Sequence, residues 1–155
     1  MPLQRGRSSY TCIHFHLVFS TKHRQPFIVE GLEERLYQYI GGLLGNRKSR
    51  LLAAGGIPDH VHLLVSLSKE LSVSDALRDI KTNSSAWIHE TYPDHRTFAW
   101  QTGYGAFAVS FGDIDRVKAY IAGQKEHHRR VTFKEEFVAL LESHGIEYDE
   151  RYLWE

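Results

Sequence analysis

The chain has 155 residues and carries 19 Lys and Arg against 19 Asp and Glu, so its formal net charge is zero and no overall attraction to a polyanion follows. Its length suits one domain with a real core, no apolar run approaches the roughly 18 residues of a membrane span, and the start MPLQRGRSSY lacks the apolar middle of a signal peptide. A soluble cytoplasmic protein is expected, and the single Cys12 excludes both an internal disulfide and a cysteine-based zinc site.

The charges are unevenly spread. Residues 1–50 hold eight Lys or Arg against three Glu, and the remainder is correspondingly acidic, a pattern that fits either a polyanion bound on one side or an ordinary solvated face. Ten histidines are the stronger compositional oddity, because imidazole serves both metal binding and proton transfer near neutral pH.

Residues 10–20, YTCIHFHLVFS, alternate Ile13, Phe15, Leu17 and Phe19 with Cys12, His14, His16 and Val18, which predicts a first strand covered on both faces. In VEGLEERLYQYIGGLLG, Leu32, Leu36, Ile40 and Leu43 recur at helical spacing, and Gly45 reads as the stop. LLAAGGI and HVHLLVS, joined by Pro58 and Asp59, predict a hairpin of the second and third strands. Ser72 or Ser74 caps a second helix that buries Val73, Leu77, Ile80 and Trp87. FAWQ is expected as a short fourth strand and YGAFAVS as a fifth. A third helix runs unbroken through DIDRVKAYIAGQKEHH on the stripe Ile114, Val117 and Ile121, and Thr132 with Glu135 predicts a capping box for a last helix closed by Gly145. The order predicts an α+β fold of ferredoxin-like or RRM-like plan, an antiparallel sheet with helices packed mainly on one face. Residues 1–155 form one domain, with 127–155 a C-terminal helical extension.

Residues two apart on a strand share a face, so His60 and His62 stand side by side with Val61 turned away. That spacing suits two ligands of one metal ion and equally suits satisfied core histidines; His14 and His16 repeat it. Tyr120 and Gln124, four apart, share one face of the third helix, as on any half-exposed amphipathic helix.

In their order and separations, HFHLVFSTKHR, GGIPDHVHLLV, WQTGYGAFAVS and YIAGQ resemble the single-tyrosine HUH transposases of small bacterial insertion sequences and their repeat-associated relatives, over about residues 10–125. The resemblance implies that Tyr120 is the nucleophile on single-stranded DNA, forming a 5′-phosphotyrosine beside a hairpin, and that His60, His62 and Gln124 hold Mg²⁺ or Mn²⁺. Donor type alone leaves manganese, zinc and other first-row ions open. The resemblance further implies a homodimer whose active site is completed between subunits, in a bacterial, nucleoid-associated setting. Lys22, Arg24, Arg47, Lys48, Arg50 and Lys81 are the expected DNA contacts, with His23 and Trp100 behind them. His127 and His128, followed by Arg129 and Arg130, could touch DNA, a helix end or nothing. Two other readings stand beside the transposase: a non-catalytic or domesticated single-strand-binding protein at chromosomal repeats, and a small zinc hydrolase using His14, His16, His60 and His62.

Overall fold

Residues 8–154 are described by a computed structural model of the chain; residues 1–7, most of the stretch read for a signal peptide, lie outside the described residues together with residue 155. Four strands, β1 (His14–Ser20), β2 (Arg50–Ile57), β3 (His60–Ser66) and β4 (Gly105–Val109), form one sheet in the order β2-β3-β1-β4, every pair antiparallel. Between and after them come α1 (Glu30–Asn46), α2 (Val73–Thr91), α3 (Ile114–Ala122), the single turn α4 (Gln124–His127), α5 (Phe133–Ser143) and α6 (Glu150–Leu153). This is the expected α+β, ferredoxin-like plan.

Strand alternation gives the sheet two unlike faces. Leu17, Phe19, Val61, Leu63 and Val65 point to the side on which α1 packs Leu32, Leu36, Ile40 and Leu44, and α2 packs Leu77, Ile80 and Ile88. The four-residue spacing in α1 keeps its apolar stripe on that face over the whole helix. His16, Val18, His60, His62 and Leu64 point to the other side, where α3 docks through Val117 and Ile121 and α5 through Phe133, Phe137 and Leu141. Helices thus cover both faces rather than mainly one, because the last two amphipathic helices need a surface and the first face is already taken by α1 and α2.

Local expectations hold in part. Ser72 caps α2 by accepting from the Asp75 amide at 3.1 Å, the Thr132–Glu135 capping box starts α5, and Gly145, with φ of 66°, ends it. FAWQ is not a strand. It makes one isolated bridge, Thr21 with Trp100, while Phe98 and Trp100 meet edge to face at 4.9 Å and Trp100 meets Phe19 at 4.8 Å, so aromatic burial takes them out of the ladder. Gly45 lies within α1, and the left-handed turn that reverses the chain falls on Lys48, whose amide donates to the Gly45 carbonyl at 3.1 Å. The third predicted helix is interrupted at Gly123, whose ψ of 11° departs from the helical value of about −42°, which re-aims Gln124 and His128 relative to Tyr120.

Gly55 decides how closely α3 approaches β2. A Cβ there would stand 2.5 Å from the Ile121 carbonyl oxygen, a backbone atom that cannot swing aside. Gly55→Ala is expected to destabilise the protein by about 1–3 kcal/mol, read as a lower urea midpoint. Gly42→Ala in α1, with nothing within 4 Å of the new methyl, should instead stabilise it by roughly 0.5–1 kcal/mol. Equal effects at the two positions would contradict the tight α3 contact.

Candidate active site

β3 presents His60 and His62, both fully buried, on the face beneath α3 and α5. The Asp59 carboxylate takes the Nδ1 side of His60 at 2.7 Å, which turns Nε2 inward to donate to Gln124 Oε1 at 3.1 Å. His62 is held from both sides, with His16 Nε2 2.7 Å from its Nδ1 and Glu136 Oε1 2.8 Å from its Nε2. His16 reaches diagonally across the β1–β3 pairing, in which it stands opposite Leu64 while His62 stands opposite Val18.

Glu136, from the buried side of α5, is the centre of this group. Oε1 also lies 3.1 Å from His128 Nε2, and Oε2 accepts from Gln124 Nε2 at 2.9 Å and from the Tyr120 hydroxyl. His128 Nε2 in addition reaches Gln124 Oε1 at 2.9 Å, with its Nδ1 on the Val131 carbonyl at 2.6 Å. One ligand atom from each of His60, His62, His128 and Glu136 can be chosen so that all four lie within 4.8 Å of one another. Three imidazoles, a carboxylate and an adjacent amide oxygen are a donor set that fits a divalent cation.

The electrostatics follow from burial and from that carboxylate. Burial alone would raise the Glu136 pKa, but hydrogen bonds from His128, His60 and His62 overcome it and hold the carboxyl well below the usual range. For His60, burial opposes the charged form, yet Asp59 and Glu136 outweigh it and the pKa rises. His62 goes the other way, lowered chiefly by burial despite Glu136, and His16, desolvated and facing His62, falls to about 3. His16 is therefore a neutral imidazole. Burial, reinforced by the hydrogen bond to Glu136 and its charge, raises the Tyr120 phenol above its ordinary value, so in this arrangement it is protonated.

Tyr120, Gln124, His60 and His62 thus converge, as the sequence led one to expect, and they do so within one chain. Completion of the site by a second subunit is not required by this geometry. Glu136 and the part played by His128 were missed. The signal was present: in FKEEFVALLES, Glu136 falls among Phe133, Phe137 and Leu141 on the buried stripe, where a carboxylate needs partners. His14 stays apart, at the end of β1 paired with Ser66 and Val109, which removes the four-histidine zinc arrangement.

The predicted DNA-contacting residues do not form one patch. Lys22, His23 and Arg24 make a short 3₁₀ turn just after β1, at the His60 end of the sheet, with the Arg24 guanidinium 5.7 Å over the Trp154 ring. Arg50 pairs with Ser66 at the other end of β3, roughly 20 Å away at about 3.3 Å per residue, and Arg47 and Lys48 precede it. There Arg47 is ion-paired with Asp79, and Lys48 lies 3.7 Å from Glu70. The Lys81 ammonium donates to the carbonyls of Gln101, Thr102 and Gly103 at 2.8, 3.3 and 2.7 Å, so it fastens the loop before β4. Trp100 is packed against the core, with its indole donating to Ser84 at 3.0 Å.

Together these features define a ferredoxin-like domain with a buried imidazole–carboxylate centre against a tyrosine. The profile of the family described as "Transposase IS200 like" matches residues 9–124. The chain belongs to that family of single-tyrosine transposases, enzymes that cleave DNA and transfer strands. It is 21% identical over 131 residues to the ISDra2 transposase TnpA of Deinococcus radiodurans, covering 81% of this chain and 94% of that one. It is 26% identical over 121 residues to the transposase of insertion sequence element IS200 of Salmonella typhimurium, covering 74% and 78%. Among solved structures, a candidate transposase of Deinococcus radiodurans R1 superposes with a TM-score of 0.65 at 22% identity, covering 79% of this chain and 98% of that one. A REP-associated tyrosine transposase bound to a REP hairpin superposes with a TM-score of 0.60 at 17% identity, covering 83% and 76%.

Since the folded Glu136 pKa lies below the unfolded value of about 4.3, its ionised form contributes stability that is complete above about pH 5 and is lost as pH falls. Glu136→Gln should be less stable than the parent at pH 6, and the gap should narrow toward pH 3, measured as urea midpoints. A gap that stays constant with pH would place this carboxylate outside the network.

Proposed function

We propose that the chain cuts and rejoins single-stranded DNA beside a hairpin through a covalent 5′-phosphotyrosine at Tyr120, aided by a divalent ion held by His60, His62 and Gln124. The observation that carries this reading is the meeting of the Tyr120 hydroxyl, Gln124 and His62 on the one Glu136 carboxylate, with His60 at 3.4 Å. The relative solved with a REP hairpin supports a hairpin-bearing strand as the substrate class.

Tyr120 Oη attacks phosphorus, the bond from phosphorus to the 3′ oxygen breaks, and the 3′ oxygen leaves with a proton as a free hydroxyl. The phosphodiester energy is kept in the tyrosine ester, so a 3′ hydroxyl from another end can reverse the step without an external energy source. A phenol is a weak nucleophile while protonated. Its hydroxyl donates to Glu136 Oε2, which orients Oη; held below its usual range, that carboxyl is a weak base, and the proton ends on the departing 3′ oxygen. When bound, the ion supplies positive charge against the oxygens of the scissile phosphate. The two imidazole donors, with the His128 imidazole beside them, favour Mn²⁺ over Mg²⁺, which prefers oxygen ligands and water. His128 and Glu136 are within reach of the same ion, and Glu136 can serve it or the phenol but not both fully.

His16 positions His62. Were His62 to hold a cation through Nε2, its proton would sit on Nδ1 and donate to His16 Nε2, 2.7 Å away, which would fix the ring orientation.

A hairpin-bearing single strand incubated with Mn²⁺ should yield a denaturation-resistant protein–DNA adduct that is absent in Tyr120→Phe. His62→Ala should lower adduct formation by at least about 100-fold and His16→Ala by roughly 10- to 100-fold. Adduct formation surviving in Tyr120→Phe would refute the assignment, and strand binding without any adduct would favour the non-catalytic binding protein. Mn²⁺ should also raise the thermal midpoint of the parent but not of His62→Ala.

A further inference from the structure

A cleft of about 520 Å³ opens between β4, α3 and α5, with Tyr120 and Glu136 in its wall. That volume lies in the range of roughly 300–1,000 Å³ typical of sites for small ligands. Phe107 and Val109 of β4, Val117 of α3 and Leu140 of α5 give it apolar sides. At one end the Phe107 and His144 rings stack at 4.4 Å with their planes 29° apart, the geometry of a flat ring laid on another. Arg116, also in the wall, stands one turn before Tyr120 on α3 with its side chain 74% exposed.

We propose that this cleft receives one unpaired base of the DNA strand, next to the phosphate attacked by Tyr120, with Arg116 beside the flanking phosphate; the proposal rests on the DNA-cleaving reading above. Three observations select a base over another apolar guest. The cleft is continuous with the tyrosine, so a strand whose phosphate meets Oη has a neighbouring base within one nucleotide of it. The rings of Phe107, Tyr120 and His144 lie in its wall among the aliphatic side chains, and aromatic rings hold bases through stacking with little regard to sequence. Arg116, mostly exposed and only loosely paired with Asp113 at 3.6 Å, is the cation of a wall that also carries Asp113 and Glu135, and it is the group there suited to meet a flanking phosphate. Half of the lining residues fall between His127 and His144, beyond the matched residues 9–124, so the pocket depends on the C-terminal part of this chain.

The test uses full-length protein in a metal chelator, which prevents cleavage, and hairpin-bearing single strands with 2-aminopurine at one position at a time. One position, or two adjacent ones, should show fluorescence quenched by stacking. Ala139→Phe fills the cleft from the exposed side of α5 without removing a core group. It should abolish that quenching and weaken binding roughly tenfold. Val109→Phe, on the cleft-facing side of β4, fills it from the sheet and should do the same, which keeps the test valid if one variant folds poorly. Quenching that both folded variants retain, or no position-specific quenching in the parent, overturns the base-binding cleft. Absence of the Mn²⁺-dependent adduct would count against cleavage instead, because the fluorescence signal needs no chemistry.

Discussion

A single ionised carboxylate in a dry place organises the site. Removing a lone carboxylate from water costs several kcal/mol, and Glu136 offsets this by gathering donors from three other parts of the fold: His62 from β3, Gln124 and His128 from the segment after Gly123, and Tyr120 from α3. The demand runs both ways. Imidazoles that share one acceptor are held in fixed orientation, and a phenol bound to a negative charge keeps its proton. The position of Glu136 is secured separately, since Phe133, Phe137 and Leu141 are buried on the same helix, at about 1.5–3 kcal/mol for each side chain.

The sheet supplies the precision. β3 is apolar on the α1–α2 side and chemical on the other, so the packing that fixes Val61, Leu63 and Val65 also fixes His60 and His62. β1 works the same way, with Leu17 and Phe19 in the core and His16 behind His62. A histidine pair on a strand is thus tied to the stability of the fold, and the more adjustable donors come from helical segments.

What the sequence disclosed was whatever depends on local period. Alternation in residues 13–19 and 60–66, four-residue spacing in α1, and the capping signals of α2 and α5 all register within a few residues. FAWQ misled because its β propensity was overridden by aromatic burial against Phe19, a contact across some eighty positions of chain. The break at Gly123 escaped because the hydrogen bonds continue on either side of it, with the Gly123 amide on Ala119 and the His127 amide on Gly123. Tyr120, Gln124, His60 and His62 were legible through the order of motifs, whereas Glu136 and His128 required knowing that α5 folds over the second face. The basic residues were legible only as charges: nothing local revealed that Lys81 would be occupied by three carbonyls or that Arg47 would find Asp79.

The phenol, the amide and the two strand imidazoles all lie within residues 9–124, whereas the carboxylate and the third imidazole lie past that boundary. The phenol, the amide and the strand imidazoles are therefore drawn from one stretch of the chain and the carboxylate that sets their proton affinities from another, so a change confined to residues 125–155 can alter those affinities while every one of the four side chains stays in place.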